Sequence, residues 1–260
     1  MPDRLVGNYL EHYSWREAEQ LLSQGATLLL PIGARLKEHG LHLPLNNDWL
    51  LAEYLTRRLV EQLPVLALPT VPYGYYPAFV EYPGSINIAR DTFRDTVCDI
   101  CRSLARHGGR RIYALNTGIS TNWALEPARL LLQGEGIAFE FSDLHELLPP
   151  IVDPLREQPQ GTHADEIETS MMLYICPERV RMDLAERDID PRHDRGRLTR
   201  QANSPTGVYS QTGAWGDPTL ATTEKGRIIT ELLVSRLVEK ISEFSQPEYS
   251  PADRREKYLS

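Results

Sequence analysis

Short, continuous apolar runs alternating with amphipathic stretches predict an α/β fold, three layers (α/β/α) built on a mostly parallel sheet. The runs are residues 27–32, 64–68, 110–115 and 137–141. Continuous apolarity is the mark of a strand covered on both faces. Between the runs, Leu51, Leu55, Leu59 and Leu63 recur at helical spacing, as do Phe93, Val97, Ile100, Cys101 and Leu104. Such helices make the right-handed crossovers of a parallel sheet, which leave ligand-binding loops at the carboxyl ends of the strands.

Each element has a local reason. Ser14 with Glu17 three residues on is a capping box, opening a short helix through Leu22. The first long run, residues 27–32, follows Gly25. Gly33, Gly40 and Pro44 stand too close together for a helix, so residues 33–47 form a loop and Asp48 begins the next helix. A stiff proline- and tyrosine-rich loop, residues 69–77, follows the second strand. The next helix starts near Asp91 and stops at Gly108-Gly109. Residues 124–132 form another helix, with Pro127 near its start. Residues 143–161 are proline-broken and lack periodicity, the pattern of a lid. Residues 171–175 continue as an apolar helix or strand, and residues 183–205, which include His193, read as a charged, exposed excursion. Thr222 or Thr223 caps a last helix with an Ile229, Leu233, Leu237, Ile241 stripe.

Composition narrows the function. A chain of 260 residues without a linker suits one domain, residues 1–246, with a polar, frayed tail at 247–260. A formal charge of −8 argues against nucleic acid as a partner. Residues 1–24 lack the apolar core of a signal peptide, and no run spans a membrane, so a cytoplasmic protein without a membrane partner is expected. Cys98, Cys101 and Cys176 do not make a disulfide scaffold; Cys98-x-x-Cys101 falls within a helix and reads as apolar packing.

Chemistry concentrates in residues 28–48, where Glu38, His39, His42 and Asp48 follow a strand within eleven residues. Imidazole nitrogen and carboxylate oxygen suit zinc, manganese or iron. A polar loop that caps the next helix through Asn47 or Asp48 is the plainer reading. A second cluster, His163 with Glu166 and Glu168, offers a proton-transfer group and anionic ligands.

The run Pro31 to Asp48 resembles the first signature of the creatininase (creatinine amidohydrolase) family, Gly-Ser-x-Glu-x-His-Gly-x-His-Leu-Pro closing on Asp. His163-Ala-Asp-Glu-Ile-Glu-Thr-Ser resembles its His-Ala-Gly-Glu-x-Glu-Thr-Ser, and Gly216-Asp217-Pro218 with Ala221-Thr222-Thr223-Glu224-Lys225-Gly226 resembles its C-terminal motif. The resemblance implies a creatininase-like fold and a ring-like homo-oligomer, often a hexamer. It also implies hydrolysis of a non-peptide C–N bond in a small, typically cyclic, amide by a metal-bound hydroxide. One or two divalent ions, zinc or manganese with iron as a third candidate, would be held by His39 and Asp48, by Glu166, and by Glu38 swinging in. His163 would carry the proton, and Glu168 would serve as a catalytic neighbour or substitute ligand. His42, Tyr73, Thr117 and Ser120 would face the substrate. Two departures stand out. Lys37 occupies the place of the family's ligand glutamate, two before His39, and residues 116–122 lack the family's ligand histidine. They support an alternative, a metal-poor relative that binds a metabolite or protein partner. Nucleotide binding has no support, for there is neither a GxGxxG nor a P-loop.

Overall fold

The computed structural model of the chain describes residues 6–192, 196–249 and 255–259. In chain order its elements are β1 (Asn8–Tyr9), α1 (Trp15–Ser23), β2 (Thr27–Ile32), α2 (Asn47–Gln62), β3 (Val65–Ala67), α3 (Arg90–Ala105), β4 (Arg111–Asn116), α4 (Asn122–Gly134), β5 (Ala138–Phe141), α5 (Leu144–Leu147), α6 (Pro149–Val152), α7 (Glu166–Ile175), β6 (Leu198–Thr199), β7 (Val208–Tyr209) and α8 (Thr223–Phe244).

Every residue of β2 is buried, which is why its sequence is apolar without alternation. Leu29 faces α2 and α8, packing in one cluster with Leu55, Leu59, Ile229 and Leu237. Leu28, Leu30 and Ile32 face α3 and α4, in a second cluster with Phe93, Val97 and Leu125. The three-layer α/β/α architecture follows. Five strands, all parallel, lie in the order β1-β3-β2-β4-β5. From β2 the chain winds to β3 on one side, and from β4 it winds to β5 on the other. The β2–β4 boundary is therefore the switch point where ligands bind in open sheets. Ile32 stands opposite Asn116 there, so the loops after both strands leave side by side.

Helices α7 and α8 cross at a close approach. A Cβ on Gly226 would collide with the carbonyl oxygen of Ser170. The Ser170 hydroxyl also accepts the Thr222 N–H at 3.1 Å, and Thr222 caps α8 as expected.

Three expectations need revision. Residues 143–161 hold two short helices, α5 and α6, whose Leu144, Leu147, Ile151 and Val152 are buried in the α2–α8 cluster. Two four-residue helices are too short for periodicity to register. The excursion at 183–205 is not wholly exposed: Asp190, Leu198 and Thr199 are buried, and β6 pairs with β7. His193 lies outside the described residues. The polar tail is anchored: Tyr258 is 1% exposed and donates its hydroxyl to Asp143 at 2.6 Å, while Arg255 lies 2.8 Å from Glu140 and 3.6 Å from Glu126. Strand β1 escaped notice because two residues make no pattern. Cys98 and Cys101 are buried on α3, where burial pushes both thiols up, as suits plain packing.

The tail anchor predicts a contrast. Arg255→Ala takes the paired guanidinium from the buried Glu140, while Glu126 keeps Arg129, and is expected to lose about 3–5 kcal/mol in urea unfolding. Lys257→Ala, at a half-exposed position, is expected to lose less than about 1 kcal/mol. Equal losses would contradict this account.

Candidate metal centre

The loop after β2 delivers its polar side chains inward. His39 is 0% exposed, with Nδ1 2.9 Å from the Lys37 carbonyl oxygen and Nε2 2.8 Å from Asp48 Oδ1. A carbonyl and a carboxylate can only accept, so Nδ1 donates to the Lys37 carbonyl, and the Nε2–Asp48 contact is a hydrogen bond only when Nε2 donates. Lys37 is buried as well, its Nζ 2.7 Å from Asp48 Oδ2 and 4.9 Å from the centre of the Phe79 ring. Asp48 lies in the first turn of α2, the favourable end of the helix dipole for a carboxylate. Burial works to raise its pKa, but Lys37 and His39 outweigh burial and hold it well below the usual carboxylate range.

The second segment comes from the N-terminus of α7. Backbone pairing with Trp215 fixes His163, whose Nε2 lies 3.1 Å from the Glu38 carbonyl and 3.3 Å from Glu38 Oε2. Its Nδ1 lies 3.7 Å from Glu168 Oε2. Burial alone would lower the His163 pKa; Glu38 and Glu168 overcome it and raise it. Ala164 follows with φ +47°, the one non-glycine positive φ among the described residues. This strained turn aims the Ala164 N–H at Glu168 Oε2, 2.6 Å away. Asp165 caps α7 by accepting from Ile167 and Glu168 N–H groups; burial, then Glu168, pushes its carboxyl up to about 6.

Among the described residues, His39, His163 and Glu168 each offer a ligand atom, all within 4.8 Å of one another. Both imidazoles are oriented by a backbone carbonyl through one nitrogen, the way metal-bound histidines are held; the other nitrogen of His163 faces Glu168 and that of His39 faces Asp48. The donors fit one divalent ion.

Several expected site residues are elsewhere. Glu166 is fully buried but accepts from the N–H groups of Glu157 and Gln158 and from Lys225 Nζ at 2.6 Å, so it braces the fold and is no part of the ligand group. Glu38 does not join the group either: Oε1 takes the Gly40 N–H at 2.5 Å and Oε2 faces His163. Only glycine fits beside it at 213, where φ is +91° and a Cβ would collide with Glu38 Oε1. His42 is not in the lining of the main cavity; it is buried against the Thr169 hydroxyl at 2.8 Å, and burial pulls its pKa down to about 4. Tyr73 lies outside the main cavity, against Arg35 and Leu45. Thr117 and Ser120 do line that cavity. The Thr117 hydroxyl, however, donates to the carbonyls of Ile32 and Asp48.

The cavity measures about 640 Å³, with Lys37, His163 and Glu168 in its lining and with apolar walls that include Phe79, Trp123, Leu148 and Trp215. Residues 144–156, within the stretch 143–161 expected as a lid, form one wall. Sequence reading missed Gln158, whose side chain links Asp165, Glu166 and Asp217. No motif marks it. It missed Lys225 as the partner of Glu166, although Lys225 stands in the third motif.

A family model described as creatininase, creatinine amidohydrolase, matches residues 11–241. Creatinine amidohydrolase of Pseudomonas putida is 27% identical, covering 92% of this chain and 98% of its own length. Mycofactocin precursor peptide peptidase of Mycobacterium tuberculosis is also 27% identical, with coverages of 86% and 88%. A solved structure of creatininase with manganese superposes with a TM-score of 0.77 at 25% identity, over 94% of this chain and all of that one.

The two glutamates of α7 should separate cleanly. Glu166→Gln is expected to cost about 1–3 kcal/mol in thermal unfolding by weakening the acceptor of Lys225, which keeps Glu157, and of the Glu157 and Gln158 N–H groups, with divalent-ion uptake unchanged. Glu168→Gln should do the reverse, weakening uptake with little loss of stability. Loss of uptake in Glu166→Gln would return that residue to the ligand group.

Proposed function

The chain belongs to the creatininase family, and from that premise we propose that it is a metal-dependent amidohydrolase with its ion held by His39, His163 and Glu168. The observation that carries the reading is the convergence of those three donors within 4.8 Å at the sheet's switch point. Zinc or manganese bound there supplies a water of lowered pKa and polarises a carbonyl.

The chain's own residues do the remaining work. The Lys37 and Glu38 carbonyls keep both imidazoles oriented. Glu168, the partly exposed member of the group at 28%, meets the cavity, where a carboxylate oxygen free of the ion would take the proton of the attacking water and return it to the leaving nitrogen. His163, expected from sequence as the proton carrier, is assigned to the ion instead. The apolar walls exclude water and strengthen the electrostatics inside. A cavity of about 640 Å³ suits a small amide, cyclic amides included, that carries an apolar substituent. A cytoplasmic homo-oligomer completes the reading; no helix among the described residues is long and apolar enough to cross a membrane.

A second reading, a metal-poor relative that binds a metabolite or protein partner, draws on the Lys37–Asp48 pair, which already places a cation on one expected ligand. Metal content separates the two. Protein purified without chelator is expected to carry zinc or manganese by mass spectrometry, with His39→Ala and His163→Ala each weakening uptake by more than about 100-fold. The loaded wild type should hydrolyse amides with an apolar substituent faster than bare cyclic ones. Protein that takes up no ion when zinc or manganese is supplied would favour the second reading.

A further inference from the structure

Asp48 has two oxygens, and both are committed. Oδ1 faces His39 Nε2 at 2.8 Å and Oδ2 faces Lys37 Nζ at 2.7 Å. Beyond Asp48 lies a void of only about 10 Å³, room for a single water. Its lining includes Tyr76, Asn116, Gly118 and Thr121, and Asp48 is its only carboxylate; it has no imidazole. Glu166, a buried carboxylate of the second motif, is taken by Lys225. No second set of metal donors therefore surrounds Asp48 among the described residues.

Charge points the same way. Glu38, Asp48 and Glu168 bring three negative charges into a largely buried site, and buried charge must be matched. One ammonium and one divalent ion cancel them; a second divalent ion would leave an excess of positive charge. We infer that the Lys37 ammonium stands in for a second metal ion on Asp48, so that this chain holds one divalent ion per site and keeps the other cation as a covalent part of itself.

The inference rests on the ion site proposed at His39, His163 and Glu168, and the experiment separates their failures. Chelator-stripped full-length protein is titrated with manganese and, separately, zinc, and bound metal is counted by mass spectrometry and calorimetry. Wild type is expected to take up one ion and Lys37→Glu two, because the substitution replaces a cation beside Asp48 with a carboxylate that demands one. Lys37→Met keeps the aliphatic stem over Phe79 and guards against a misfolded glutamate variant. It is expected to bind its single ion at least about tenfold more tightly, since a like charge beside the site is gone. Two ions on wild type would overturn the inference and leave the hydrolase reading intact. One ion on folded Lys37→Glu, or unchanged affinity in Lys37→Met, would also overturn it. No ion on wild type would sink the ion site itself, and the inference with it.

Discussion

The pairing of β2 with β4 is the constraint on which the site depends. With Ile32 opposite Asn116, the chain leaves both strands at one level, and the Thr117 N–H closes the gap by donating to the Ile32 carbonyl at 3.1 Å. The Thr117 hydroxyl then reaches the carbonyl of Asp48, tying the loop after β4 to the first turn of α2. A one-residue slip would turn every side chain of β2 to the opposite face and remove both links. Burial of β2 on two sides forbids that slip, because each face fills a separate core. Site geometry is thus inherited from apolar packing several residues away.

On that frame the protein buries an unusual amount of charge. Lys37, Glu38, Asp48, Glu166 and His163 are each no more than 6% exposed, and each has a partner. Removing one member of such a pair costs far more than the pair contributes, so the network fixes geometry more than it adds stability. The left-handed Ala164 belongs to the same design. Its conformation is unfavourable for a residue with a Cβ, yet Trp215 holds the backbone on one side and Glu168 accepts its N–H on the other. Strain kept in place by two outside contacts gives His163 and Glu168 their common direction.

Much of this was legible in the sequence, and the misses have physical causes. Strand β2 and helix α2 followed from apolar runs, glycine and proline punctuation, and helical spacing, and the pairing of His39 with Asp48 from the resemblance to the family's first motif. Glu166 and Glu168 were harder. Two residues apart on a helix, they point to nearly opposite sides, so only one could face His163. Choosing between them required knowing that the helix begins at Glu166, and the apolar signal starts only at Met171. The Lys37–Asp48 pair was visible only as a departure from a motif, since composition says nothing about which cation meets which carboxylate. Tyr258 and Arg255 looked like frayed polar sequence because their partners, Asp143, Glu140 and Glu126, lie more than a hundred residues upstream.

The three motifs divide the labour differently from their sequence order. The first supplies His39 and Asp48; the second supplies His163 and Glu168 for the site and Glu166 for the frame. The third supplies no donor at all. Its Gly226 lets α8 approach the backbone of α7, its Lys225 neutralises Glu166, and its Thr222 caps α8 while bonding to Ser170. Held at Glu166 and Ser170 on one face, α7 is braced against rotation, and rotation of α7 is the motion that would carry Glu168 away from the histidines. A glycine, a lysine and a threonine far from the cavity therefore belong to the candidate site as surely as its three donors do, because donors that must converge within a few ångströms need a helix that stays in register.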